Sequence, residues 1–159
     1  MKPATVAQLK KELNHKTAAE LLSLCLRLAK FKKENKELLT YLLFDADQEA
    51  FYITQVKEHI DEAFGQMNTT RSYFMKKSVR KILKETKKYI RYSLKKETEV
   101  ELLLYFCEKL KNTKPSISKN RTLSNLYERQ LALIEKKLSG LHEDLQYDYQ
   151  EELRLLRNS

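Results

Sequence analysis

Apolar positions along this chain recur at intervals of three and four residues, the spacing that gathers side chains on one face of a 3.6-residue helix. Between residues 48 and 67, Ile53, Val56, Ile60, Ala63, Phe64 and Met67 form such a stripe. Between 71 and 96, Met75, Val79, Ile82, Thr86, Tyr89, Ile90 and Ser93 form a second one, widened by Leu83. No strand-like alternation of comparable length occurs. Helix starts follow from capping chemistry, because a Ser, Thr, Asp or Asn oxygen accepts an amide proton that the first turn leaves unpaired. Thr17 with Glu20 and Thr98 with Glu101 have the capping-box spacing, and Thr5, Asn35, Asp47, Thr70 and Asn120 are further caps. Together these signals predict helices near 5–14, 18–33, 36–44, 48–67, 71–96, 99–112, 121–139 and 141–157.

The one evident non-helical linker is Asn112-Thr-Lys-Pro-Ser-Ile-Ser-Lys119, where Pro115 has no amide proton and small polar residues compete for backbone bonds. The expected organisation is an N-terminal helical bundle over 1–113, a linker at 114–120, and a C-terminal helical pair over 121–159 packing on the bundle in a single overall domain. The series Leu131, Ile134, Leu138, Leu141, Leu145 runs through Gly140 as a continuous helix would. The order of charges, Lys136 and Lys137 before it and Glu143 and Asp144 after it, favours one helix ending and another beginning. The stretches Phe31 to Leu43 and Leu94 to Phe106 each read as a basic helix end, a cap and a short apolar helix. Stacked helical pairs would produce that resemblance.

Composition agrees with the pattern. Among 159 residues there are Gly 2, Pro 2 and Trp 0, too little turn punctuation for sheets joined by tight turns or for loop-built enzyme sites. The fold expected is all-α, a multi-helix bundle of about seven to eight helices, with stacked helical pairs as one arrangement open to it. The N-terminus lacks an apolar signal core, and charge-free stretches such as Leu38 to Phe44 fall far below the roughly 18 residues of a spanning helix. Cys25 and Cys107 lie in the apolar runs LLSLCLRL and LLLYFCEKL and are expected in the core as small hydrophobes. A reducing, cytoplasmic setting fits that usage.

Charge adds a local feature. The formal net charge is +9, and it divides into +5 for 1–44, −5 for 45–69, +10 for 70–96, −2 for 97–113, +4 for 114–140 and −3 for 141–159. Within the +10 block, Lys76, Lys77, Arg80, Lys81, Lys84, Lys87, Lys88, Arg91 and Lys95 fall in an arc of about 140° opposite the apolar stripe. This basic ribbon is about 28 Å long. A solvated face offset by the preceding acids Asp47, Glu58, Asp61 and Glu62 is one reading. Because both helices carry charge opposite their apolar stripes, that attraction would reach only their flanks. The other reading is contact with polyanion phosphates, with Tyr73, Phe74 and Tyr92 placed to stack on bases. A face mainly of lysine suits backbone contact without sequence readout. Membrane adsorption is not expected, because the opposite face is needed for the core.

Catalytic chemistry finds little support. Only His15, His59 and His142 are available. Glu12-Leu-Asn-His15 has the Glu-x-x-His spacing of di-iron bundles but no second copy, and His15 falls where the first helix should end. His142-Glu-Asp-Leu-Gln146 carries glutamine where a zincin helix needs its second histidine. His59 reads as a partly buried helix histidine. Gly65 and Gly140 are too few for a phosphate-cradling loop. Tyr41, Tyr105, Tyr147 and Tyr149 read as amphipathic rings at core edges. The opening TVAQLKKELNHKTAAELLSLCLRL resembles the two-helix SAP nucleic-acid module but lacks the glycines that shape its turn.

The segments LKKELNHKTAAELLSL, KFKKENKELLTYLLF and KKYIRYSLKK resemble short all-helical bacterial proteins grouped as a domain-of-unknown-function family, a likeness that covers residues 5 to 135. That resemblance implies a compact helical, repeat-like cytoplasmic protein and carries over no site residue. The function expected is that of a non-enzymatic helical interaction or scaffold protein with a protein partner or a second copy of itself. The alternative is non-specific nucleic-acid binding through the basic face at residues 71–96. No catalytic, metal or cofactor residues and no small-molecule ligand are expected.

Overall fold

Local signals and tertiary packing together give an all-α chain in the computed structural model, which describes residues 1–158. Its helices are α1 (Val6–Leu13), α2 (Ala18–Phe31), α3 (Lys33–Thr40), α4 (Glu49–Gly65), α5 (Ser72–Ser93), α6 (Lys96–Lys111), α7 (Arg121–Leu138) and α8 (Glu143–Arg157). A π-helical turn at Tyr41–Asp45 and a 3-10 turn at Ile117–Lys119 complete the regular elements. No strand occurs among the described residues, and no helix is long and apolar enough to cross a membrane. The chain divides into two compact units, Met1–Phe44 and Asp45–Ser159.

The second unit is built around α6. Val100, Leu102, Leu103, Phe106, Cys107 and Leu110 of that helix are all 0% exposed, and a helix apolar on so many sides must be surrounded. It is packed by α4, α5, α7 and α8. The stripes read from the sequence supply the facing surfaces: Val56 and Ile60 of α4, Met75, Val79, Ile82, Thr86 and Ile90 of α5, and Leu131, Ile134 and Leu138 of α7 are buried. From α8, Leu153 and Leu156 join them, and the buried Tyr127 hydroxyl donates to the Leu156 carbonyl at 2.8 Å.

Chain breaks in this unit follow local chemistry. The helix pattern does stop at Gly140: α7 ends at Leu138 and α8 starts at Glu143, where His142 Nδ1 accepts from the Asp144 amide at 3.3 Å. Basic residues close the first helix and acidic ones open the second, as the helix dipoles favour. Residues 112–120 contain a cis Lys114–Pro115 peptide and the buried Ile117. Asn120 then caps α7, its Oδ1 accepting from the Leu123 amide at 3.2 Å, while its Nδ2 donates to Ser72 Oγ at 2.9 Å.

Several expected caps are replaced. Helix α6 begins at Lys96 rather than near 99, and Thr98 is buried and donates to Glu49 Oε1 at 2.6 Å instead of capping. Asn35 does not start a helix; it lies inside α3, and its Nδ2 donates to the Leu28 carbonyl at 2.8 Å, pairing one of the acceptors left open near the end of α2. Gln48 and Arg71 occupy the N-cap positions expected for Asp47 and Thr70, neither with a side-chain bond. Thr70 instead bonds Asn68 Oδ1 through both its amide and its hydroxyl.

In the first unit, both predicted N-terminal caps form as full capping boxes, Thr5 with Gln8 and Thr17 with Glu20. Helix α2 packs on α3, yet only Ala29 and Tyr41 are buried in the whole of 1–44. The expectation that Cys25 is a core residue is therefore corrected: Cys25 is exposed, while Cys107 is buried, and both thiols are free. An apolar run marks a surface to be covered, and in residues 18–31 most of that surface is left open.

Candidate interaction surfaces

Burial of the Met75, Val79, Ile82, Thr86, Ile90 stripe turns the opposite arc of α5 outward. Lys77, Arg80, Lys81, Lys84 and Arg91 are exposed, and Lys76, Lys87 and Lys88 are half-buried. The expected helix to residue 96 is corrected: α5 stops at Ser93, where Leu94 turns left-handed, so Lys95 is exposed at the N-cap of α6 and the ribbon on the helix itself ends at Arg91. Tyr73 and Phe74 remain exposed, whereas Tyr92 is buried and is not available for stacking on a base. Arg80, Leu83, Lys84, Lys87 and Arg91 line a shallow depression of about 350 Å³. Leu83 is the apolar residue in its lining, with Lys84 next to it in sequence, Arg80 and Lys87 one turn away and Arg91 two turns away along the same helix.

The ribbon finds few anions in its own chain. Lys95 Nζ lies 3.2 Å from Glu49 Oε2, and Lys88 Nζ stands 4.9 Å from the Tyr89 ring centroid. Among the described residues, no ion pair within 4.0 Å engages Lys76, Lys77, Arg80, Lys81, Lys84, Lys87 or Arg91. Of the acids that precede the ribbon, Glu62 borders a depression shared with Lys81, whereas Asp61 is engaged on another helix. Asp61 accepts from the Tyr105 hydroxyl at 2.8 Å and pairs with Lys109 at 2.8 Å, both on α6. Glu85, the single acid of the basic block, lies 3.0 Å from His59 Nε2.

A second surface was not singled out from the sequence. In the first unit, Leu22 is 61% exposed, Leu28 62%, Phe31 76% and Phe44 70%. Val6, Leu9 and Leu13 of α1 and Leu24, Leu26, Leu42 and Leu43 are exposed as well. On α2 the polar residues Glu20, Ser23, Arg27 and Lys30 share one side, leaving an apolar arc of about 240°. The signal that could have identified it is the width of that arc together with the short length of the segment. Forty-four residues in three short helices hold too little mutual surface to cover it.

A cleft of about 780 Å³ lies between α6 and α8, bordered by Glu101, Glu108, Asp148 and Glu152, with Lys57 and Lys111. Its polar groups hold helices together. Lys57 Nζ is 2.7 Å from Glu101 Oε1, Lys111 Nζ donates to the Leu155 carbonyl at 2.8 Å, and Tyr149 donates weakly to Glu97 and Glu101 at 3.3 and 3.4 Å. Desolvation first, and then the neighbouring Glu101, raise the Glu152 carboxyl above its ordinary pKa. Desolvation and Asp61 raise the Tyr105 phenol, while the hydrogen bond to Asp61 holds the Lys109 ammonium above its usual value. No nucleophile, base and orienting group converge here. His15 is exposed after the end of α1, and His59 stacks edge-on against Tyr89 with centroids 5.3 Å apart. Among the described residues, no three His, Cys, Asp or Glu side chains are grouped to hold a metal ion.

No family model, curated protein or solved structure matches the chain.

Proposed function

We propose that this chain is a helical interaction and scaffold protein, non-enzymatic, working through helix faces rather than through a pocket. The observation that carries this reading is the first unit, whose large apolar residues lie open on three helices with only two residues buried. Exposed apolar area of that extent belongs to surfaces that another molecule covers. His59, His142 and the carboxylates of Glu49, Asp61 and Glu101 support the same reading, since they cap helices or cross-link them. Amide hydrogen exchange on the full chain tests it. In dilute solution α2 and α3 should exchange orders of magnitude faster than α6, and they should become protected when the surface is covered. Protection of α2 equal to that of α6 at the lowest concentration would count against an interaction role, because the surface would then need no partner.

A second reading, non-specific binding of nucleic acid through the ribbon from Lys76 to Lys95, is favoured by the seven cations that make no ion pair among the described residues. Affinity for mixed-sequence DNA and RNA should be visible at low salt and fall linearly on a logarithmic salt scale. Arg80→Gln with Lys84→Gln should reduce that slope by about two. Absence of binding at low salt, or a slope unchanged by the double variant, removes this reading.

A further inference from the structure

Helix α2 has an apolar arc of about 240°, wide enough to require neighbours on several sides. Helix α3 is the neighbour supplied within the first unit, and it leaves Leu22, Leu24, Leu26, Leu28 and Phe31 exposed. One added peptide helix would cover one flank; a second helix pair would cover both. We infer that the occupant is a second copy of this chain, whose α2 and α3 pack on the same helices of the first to form a four-helix cluster. This inference rests on the interaction role proposed above and names its partner.

Three features favour self-association. First, nine large apolar residues between 18 and 44 are more than a third exposed; together they offer roughly 900 Å², the same order as the about 800 Å² that each partner contributes to a standard interface. Second, the apolar arc carries no charge, because Glu20, Arg27 and Lys30 lie together on the other side of α2. Two copies therefore meet without bringing like charges into the seam, despite the +5 carried by residues 1–44. Third, a symmetric contact between two copies of this patch would close at the dimer and leave no unfilled copy of the surface.

Sedimentation of the full chain over a range of concentrations tests this. The wild type should run at twice the mass of the 18.9 kDa chain. Leu24→Glu with Leu28→Glu should run as a monomer with unchanged helicity, since both side chains are exposed in the single chain. Leu24→Ser with Leu28→Ser, which adds no charge, should weaken the dimer in the same direction. A wild-type dimer that survives both double variants overturns the inference by placing the contact elsewhere. A wild-type monomer also overturns it, and amide exchange then separates the two levels. Open α2 amides in that monomer leave the interaction role standing with a different partner, whereas protected ones remove the role as well.

Discussion

The carboxylate of Glu49, in the first turn of α4, accepts hydrogen bonds from the hydroxyls of Ser93 and Thr98 and lies 3.2 Å from Lys95 Nζ. It ties the start of α4 to the junction of α5 and α6. Ser93 is 8% exposed and Thr98 1%, so neither hydroxyl can turn to water if the acceptor is removed. Glu49→Ala is expected to lower unfolding free energy by about 2–4 kcal/mol, with Glu49→Gln, which keeps an acceptor oxygen, losing less. Urea denaturation checks both, and equal losses would remove the acceptor argument. The two thiols differ for an equally local reason. Burial, reinforced by Glu128, pushes the Cys107 thiol up to about 12, which keeps it protonated and inert at neutral pH. Cys25 is open to reagent.

Among the elements, α5 ends in a way that invites a simple stabilising change. Leu94, just past its last residue, adopts φ 58°, ψ 6°, the left-handed conformation that glycine occupies without a Cβ penalty. Its side chain is 84% exposed, so little packing is lost on truncation. Leu94→Gly is expected to stabilise the chain by about 0.5–1 kcal/mol in thermal or urea unfolding; a loss of similar size would mean that the leucine side chain makes a contact of its own. Helix ends also explain what could be read from the sequence. Thr17 and Thr98 share the same spacing to a glutamate, but Thr17 is exposed and nothing competes for its hydroxyl. Thr98 is drawn to Glu49, forty-nine positions away in sequence, and no local pattern carries that information. The stripes of α4 and α5 were legible because each has one face to bury. The apolar run of α2 was legible as something to be covered, but periodicity does not say which molecule covers it. Hence Cys25 was expected in a core and lies on a surface.

At the scale of the whole molecule, the net charge of +9 is a local property, with +10 held in residues 70–96 and the rest nearly cancelling. The apolar excess is local too. It is concentrated in residues 1–44, where most large apolar side chains are open, whereas in 45–158 those that are open, such as Phe51, Leu94 and Leu155, are scattered around an enclosed α6. The chain thus offers one basic face and one apolar face of different chemistry, each on a unit of its own. Cys25 lies within the apolar arc of α2 and reports directly on whether a second copy covers that arc, while Cys107 serves as the internal control. The decisive measurement is the reaction rate of Cys25 with a thiol reagent as a function of chain concentration. The account predicts that the rate falls by on the order of tenfold as the dimer fills, with Cys107 unreactive until the chain unfolds. A Cys25 rate independent of concentration, in a chain that remains folded, would contradict it.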